Sequence, residues 1–108
     1  MLDLHSREAD RIRSALAKDQ VDDKARAFDL LSDPSRYRIL KALLLHPELC
    51  VSDLTELFDM TMPAVSHHLR LLKGAEAVTC WRHGQMICYS LAKTPLANFI
   101  RQALEKSL

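Results

Sequence analysis

"VSDLTELFDMTMPAVSHHLRLLKGAEAVTCWRHGQMICYSL", residues 51–91, holds the order of elements that decides the fold. In "VSDLTELFD" (51–59), Leu54, Leu57 and Phe58 fall at i, i+3 and i+4, one face of a short helix. Thr61 then stands where a helix N-cap is needed, and Pro63 is early enough in the next helix to be tolerated. Val65, Leu69 and Leu72 form the inward seam of that helix, and Gly74 is expected to end it in a left-handed conformation. Beyond it the apolar period changes to two. Strands are expected over 77–82 and 85–91, with "HG" supplying the glycine of a tight hairpin turn.

Working outward, "SDPSRYRILKALLLHP" reads as the clearest helix. Asp33 caps it, Pro34 suits its first turn, and Ile39, Leu40, Leu43 and Leu44 make its stripe. Pro47 ends it by disfavouring the helical conformation at His46. Residues 22–32 read as a helix facing inward through Ala25, Phe28 and Leu31, with Leu30 off that line. Residues 6–19 read as another, capped by Ser6, with Ala9, Ile12 and Leu16 on one face. Thr94 caps a last helix with Pro95 at its first position. Leu96, Phe99, Ile100, Ala103 and Leu104 make its broad apolar face. The fold class expected is mainly α with a β-hairpin wing, one domain over residues 1–108.

Composition narrows the class. A chain of 108 residues with 48% hydrophobic residues can bury one modest core and gains from oligomerising. Two glycines leave no phosphate-cradling loop, and no catalytic Ser-His-Asp or Cys-His-Asn arrangement is legible, so an enzyme is not expected. No apolar run is long enough to span a membrane, and "MLDLHSREADR" lacks the pattern of a signal peptide. The cytoplasm is the expected location, with the three cysteines as reduced thiols. Net charge is only +1, but its distribution is uneven. Residues 46–60 carry Glu48, Asp53, Glu56 and Asp59 and no Lys or Arg, whereas 61–88 carry Arg70, Lys73 and Arg82 against Glu76 alone.

Two short helices joined by a few residues, then a hairpin, make a winged helix-turn-helix (51–73, wing 77–91). Its second helix enters the major groove of double-stranded DNA. The outward face of that helix offers Thr61, Met62, Pro63, Ser66, His67, Arg70 and Lys73 and no acid that would repel DNA. Arg82, His83 and Gln85 are the wing's candidates for backbone or minor-groove contact. Ser66 and His67 can donate to bases or phosphates; Arg70 and Lys73 neutralise phosphate. His68, about 100° round the helix from His67, is expected to turn toward the core or a backbone partner.

On "DPSRYRIL", "ELCVSDL", "PAVSHHLRLLK" and "RHGQMICYSL", in that order and spacing over residues 30–91, the chain resembles the ArsR/SmtB family of winged-helix repressors. The resemblance implies a homodimer built from the terminal helices (1–20 and 94–108) and release from a palindromic operator when an inducer binds. It also implies two metal sites, and both look incomplete. The thiolate site keeps Cys50 but has Ser52 and Thr55 where further thiolates would stand, and a hydroxyl is a poor ligand for soft ions. The site on the terminal helices would fall near Lys93, Pro95 and Lys106, and the chain stops before its last position. No cofactor is expected.

Cys50, Cys80 and Cys88 remain as effector candidates, for a soft metal or metalloid ion or for thiol oxidation; the simpler reading makes them small hydrophobes. With "HG" as a plain turn, 80 pairs with 87 and 79 with 88, on opposite faces; a bulge would set Cys80 against Cys88. "HPELC" places His46 and Glu48 near Cys50 in a loop, a weak metal pattern. Two rival functions stand beside the repressor. One is a thiol redox or persulfide sensor on the same scaffold. The other is a winged-helix interaction module that never touches DNA.

Overall fold

A computed structural model of the chain describes residues 5–106. Among these, six helices and three strands follow in the order α1 (Ser6–Ala17), α2 (Val21–Leu31), α3 (Pro34–Leu45), β1 (Leu49–Cys50), α4 (Val51–Phe58), α5 (Met62–Gly74), β2 (Val78–His83), β3 (Met86–Leu91) and α6 (Pro95–Lys106).

The "DPSRYRILK" segment ties three helices together. Asp33 accepts from the Arg36 N–H at 2.9 Å and starts α3, with Pro34 at the first turn. That bond holds the Asp33 carboxyl below its ordinary pKa. The Arg36 guanidinium reaches back to the carbonyls of Leu30 (3.1 Å) and Asp29 (3.2 Å), satisfying the last turn of α2. Lys41 donates to the Leu104 carbonyl at 3.0 Å and serves the end of α6 in the same way. Between these polar ties lies one core. Ile39, Leu40, Leu54, Val65, Leu69, Leu72, Ile100 and Leu104 are fully enclosed in it.

The strands form an antiparallel sheet in the order β1-β3-β2. β1 is two residues long, too short to carry a period, and was not anticipated. The hairpin register differs from the expected one by two. His83 pairs with Met86, so the loop is Gly84–Gln85 and not "HG". Primed hairpin turns need a positive φ at their first loop position; Gly84 supplies it at φ 64°, where His83 would be strained. Cys80 therefore pairs with Tyr89 and Trp81 with Cys88. Cys80 and Cys88 stay on opposite faces, and no bulge brings them together. Gly74 does not adopt the left-handed conformation expected of it; Glu76 does, at φ 62°, two residues later.

Two helix faces also differ from expectation. α2 packs through Ala27 and Leu30, while Ala25 and Phe28 are exposed and Leu31 is half-buried. The three-residue spacing drifts across a 3.6-residue turn, so the line through 25, 28 and 31 misses the buried face. Phe28 and Leu31 instead line a groove with Phe99 and Ala103 of α6. α1 buries no residue; Ile12 and Leu16 are 49% and 55% exposed, and its N-cap is His5, not Ser6. At the far end Thr94 accepts from the Ala97 N–H at 3.2 Å, as its position predicts, and donates to the Glu76 carbonyl at 2.8 Å. That second bond fixes the start of α6 to the turn that follows α5.

Candidate DNA-binding surface

α4 and α5 are built to meet at a sharp joint. The Asp53 carboxylate accepts from the Cys50 N–H at 2.8 Å and secures the first turn of α4. Asp59 ends that helix in a left-handed conformation at φ 50°. Thr61 then accepts from the Ala64 N–H at 3.2 Å and starts α5. Val65, Leu69 and Leu72 are buried, which fixes the rotation of α5 about its axis. The opposite face is therefore turned to solvent by the core itself.

On that face Thr61, Met62, Pro63, His67, Arg70 and Lys73 are exposed and Ser66 is half-buried. Arg82, His83 and Gln85 are exposed at and beside the hairpin tip. Met62 and Ser66 of α5 face Gln85, Met86 and Ile87 of the hairpin across a groove of about 280 Å³ that Cys50 also lines. Helix face and wing are thus adjacent, as a winged helix-turn-helix requires. Arg70 makes no ion pair among the described residues. Lys73 is held charged: a hydrogen bond with the Cys80 thiol raises its pKa above the usual lysine value. Tyr89, behind that pair, has its pKa raised chiefly by burial. His68 sits apart from the outward set. It is half-buried, and its Nδ1 is enclosed without a hydrogen-bond partner.

Trp81, Met86 and Ile87 were not anticipated at the surface, yet they expose 37%, 49% and 41% of their area along the hairpin. Apolar residues in a strand read equally well as buried, so no local signal separates the two. The cysteines depart furthest from expectation. Cys50 and Cys88 are bonded to each other across β1 and β3, and Cys80 alone remains free. The pairing needed a strand of two residues, 38 positions away in sequence, to be seen. His46 Nδ1 lies 2.8 Å from the Glu48 carbonyl oxygen. Among the described residues no three His, Cys, Asp or Glu side chains converge to hold a metal ion.

Residues 33–79 match the profile of the bacterial regulatory protein, arsR family. A cadmium resistance transcriptional regulatory protein CadC homolog of Staphylococcus aureus is 34% identical over 104 residues, covering 96% of this chain and 83% of that one. The chain belongs to the ArsR family. A transcriptional repressor SmtB homolog of Synechocystis is 38% identical over 90 residues, covering 83% of this chain and 67% of its own. Among solved structures, HlyU from Vibrio cholerae superposes with a TM-score of 0.69 at 25% identity, over 81% of this chain and 95% of that one. This ArsR-family chain is accordingly a DNA-binding transcriptional repressor of the ArsR/SmtB type with a winged-helix fold, and not an enzyme. No helix among its described residues is long and apolar enough to cross a membrane.

Proposed function

We propose that the repressor acts in the cytoplasm as a homodimer on a palindromic operator, joined through residues 1–20 and 94–108 (of which 1–4 and 107–108 lie outside the described residues), with α5 in the major groove and the hairpin against the adjacent backbone or minor groove. The exposed, acid-free face of α5 beside the basic hairpin tip carries this reading. Thr61, Met62, Pro63, Ser66 and His67 reach base edges or phosphates near the helix N-terminus, and Arg70 and Lys73 neutralise phosphates farther along. Arg82, His83 and Gln85 make the wing contacts. The exposed Ile12 and Leu16 of α1, and the apolar groove between α2 and α6, are the surfaces a second copy would cover. Two-fold symmetry would then present the two α5 helices to half-sites about 34 Å apart.

The residues present do not fit the metal sites implied by the family. Ser52 stands where a second thiolate would coordinate, and Thr55 commits its hydroxyl to the carbonyls of Val51 (2.9 Å) and Ser52 (2.8 Å). Near the ends of α6, Lys93 and Lys106 would repel a cation. Fluorescence anisotropy of the reduced protein on DNA from upstream of its own gene, with and without cadmium, zinc or arsenite, tests the whole reading. Tight, salt-sensitive binding that the ions leave unchanged is expected. Absence of salt-sensitive binding would refute the DNA interface, and release by an ion would refute the misfit of the metal sites.

A further inference from the structure

We propose that Cys50 and Cys88 form a reversible thiol–disulfide latch between the helix-turn-helix and the wing, closed by a hydroperoxide, which tightens operator binding. The affinity part rests on the DNA-binding reading above; the chemistry of the latch does not.

The fold sets the two residues opposite each other. β1 pairs with β3 so that Cys50 and Cys88 are cross-strand partners, with Cα atoms 3.9 Å apart and the sulfurs bonded. Cys50 immediately precedes α4, whose end lies three residues before α5. Cys88 lies on the central strand of the sheet, two residues beyond Met86 at the base of the hairpin loop. The bond therefore joins the entry of the reading unit to the strand that carries the wing. The strand pairing itself is short, Leu49 with Tyr89 and Cys50 with Cys88.

Access divides the roles. Cys50 lines the groove between α5 and the hairpin and is 8% exposed, while Cys88 is fully enclosed. The Cys50 thiolate attacks the nearer peroxide oxygen. The O–O bond breaks, an alcohol (or water) leaves with a proton, and Cys50 becomes a sulfenic acid. Cys88 then attacks that sulfur, the S–O bond breaks, and the hydroxyl leaves as water with the Cys88 proton. Two thiols lose two electrons and the peroxide gains them. A dithiol returns the pair by exchange. Cys80, on the opposite face with no thiol beside it, takes no part. In a compartment that keeps thiols reduced, such a bond is transient and suited to sensing.

Closing the latch fixes the gap between helix and wing before DNA arrives, so less freedom is lost on binding. Couplings of this kind commonly reach fivefold or more. The test takes the full chain, reduced and freed of reductant, through a hydrogen peroxide titration. Mass spectrometry of unreduced peptides follows the crosslink, and anisotropy on the upstream DNA follows affinity. The expected result is a Cys50–Cys88 link, about fivefold tighter binding and reversal by dithiothreitol. Cys50→Ser and Cys88→Ala should each abolish the response while binding DNA like the reduced wild type, and Cys80→Ser should keep it. Equal or weaker binding by the oxidised form, or a link through Cys80, overturns the proposal. If neither the reduced nor the oxidised form binds, the DNA-binding reading falls and the affinity claim with it, while the crosslink followed by mass spectrometry still decides the chemistry of the latch.

Discussion

Replacing Arg70 with alanine separates phosphate contact from structural support. The side chain is exposed, makes no ion pair among the described residues, and sits between the buried Leu69 and the exposed Leu71. No ion pair among the described residues depends on it, so thermal stability should change little. If each protomer's Arg70 neutralises one phosphate, a dimer loses two contacts. Each contributes about 0.9 to the slope of log affinity against log salt, so the slope should flatten by about 1.8. Between about 50 and about 200 mM salt, wild type should then lose about twelvefold more affinity than Arg70→Ala. The assay is anisotropy on one operator fragment at four or more salt concentrations. Parallel lines for the two proteins would refute the contact, whatever the offset between them. A lowered melting temperature would refute the premise that the residue is structurally idle.

Three further outcomes follow from the local geometry. Thr61→Ala orphans the Ala64 N–H and should cost about 1 kcal/mol, with Thr61→Ser restoring most of it in thermal melts; no loss would mean the cap is idle. Leu69→Ala empties a fully enclosed site under the reading helix and should cost about 2–5 kcal/mol in urea unfolding, more than any exposed α5 substitution. The folded state holds the Asp33 carboxyl below its ordinary pKa, so its contribution is complete above the unfolded pKa and is lost as pH falls through the folded one. The stability gap between wild type and Asp33→Asn should therefore be widest near neutral pH and close in acid; a gap independent of pH would contradict the assignment.

The parts legible in sequence are those fixed by local chemistry. Asp33 with Pro34, Thr61 and Thr94 mark their helix starts through hydrogen bonds within three residues, and the structure places those bonds there. The seam of α5 was legible because Val65, Leu69 and Leu72 keep the helical period under a single contact surface. The misses are non-local. Residues 49–50 become a strand only because β3 lies beside them, and the Cys50–Cys88 bond is a consequence of that pairing. The buried face of α2 is not legible in sequence because its apolar residues serve two surfaces, the core through Ala27 and Leu30 and the groove through Phe28 and Leu31. The hairpin slipped by two because a glycine beside a histidine does not itself say which loop position it fills.

The separateness of α1 bears on how such regulators coexist. None of its residues is buried by its own chain, and a twelve-residue helix is marginal by itself in water. Its sequence is free of the packing demands that hold α3 to α6 to their residues. If α1 joins two copies as proposed above, drift in it changes which chain it pairs with while the enclosed residues of α4 and α5 stay as they are. In a cell that carries several repressors with similar heads, crosstalk between them would be governed at residues 6–17, where a few changes of charge or shape insulate one circuit from another.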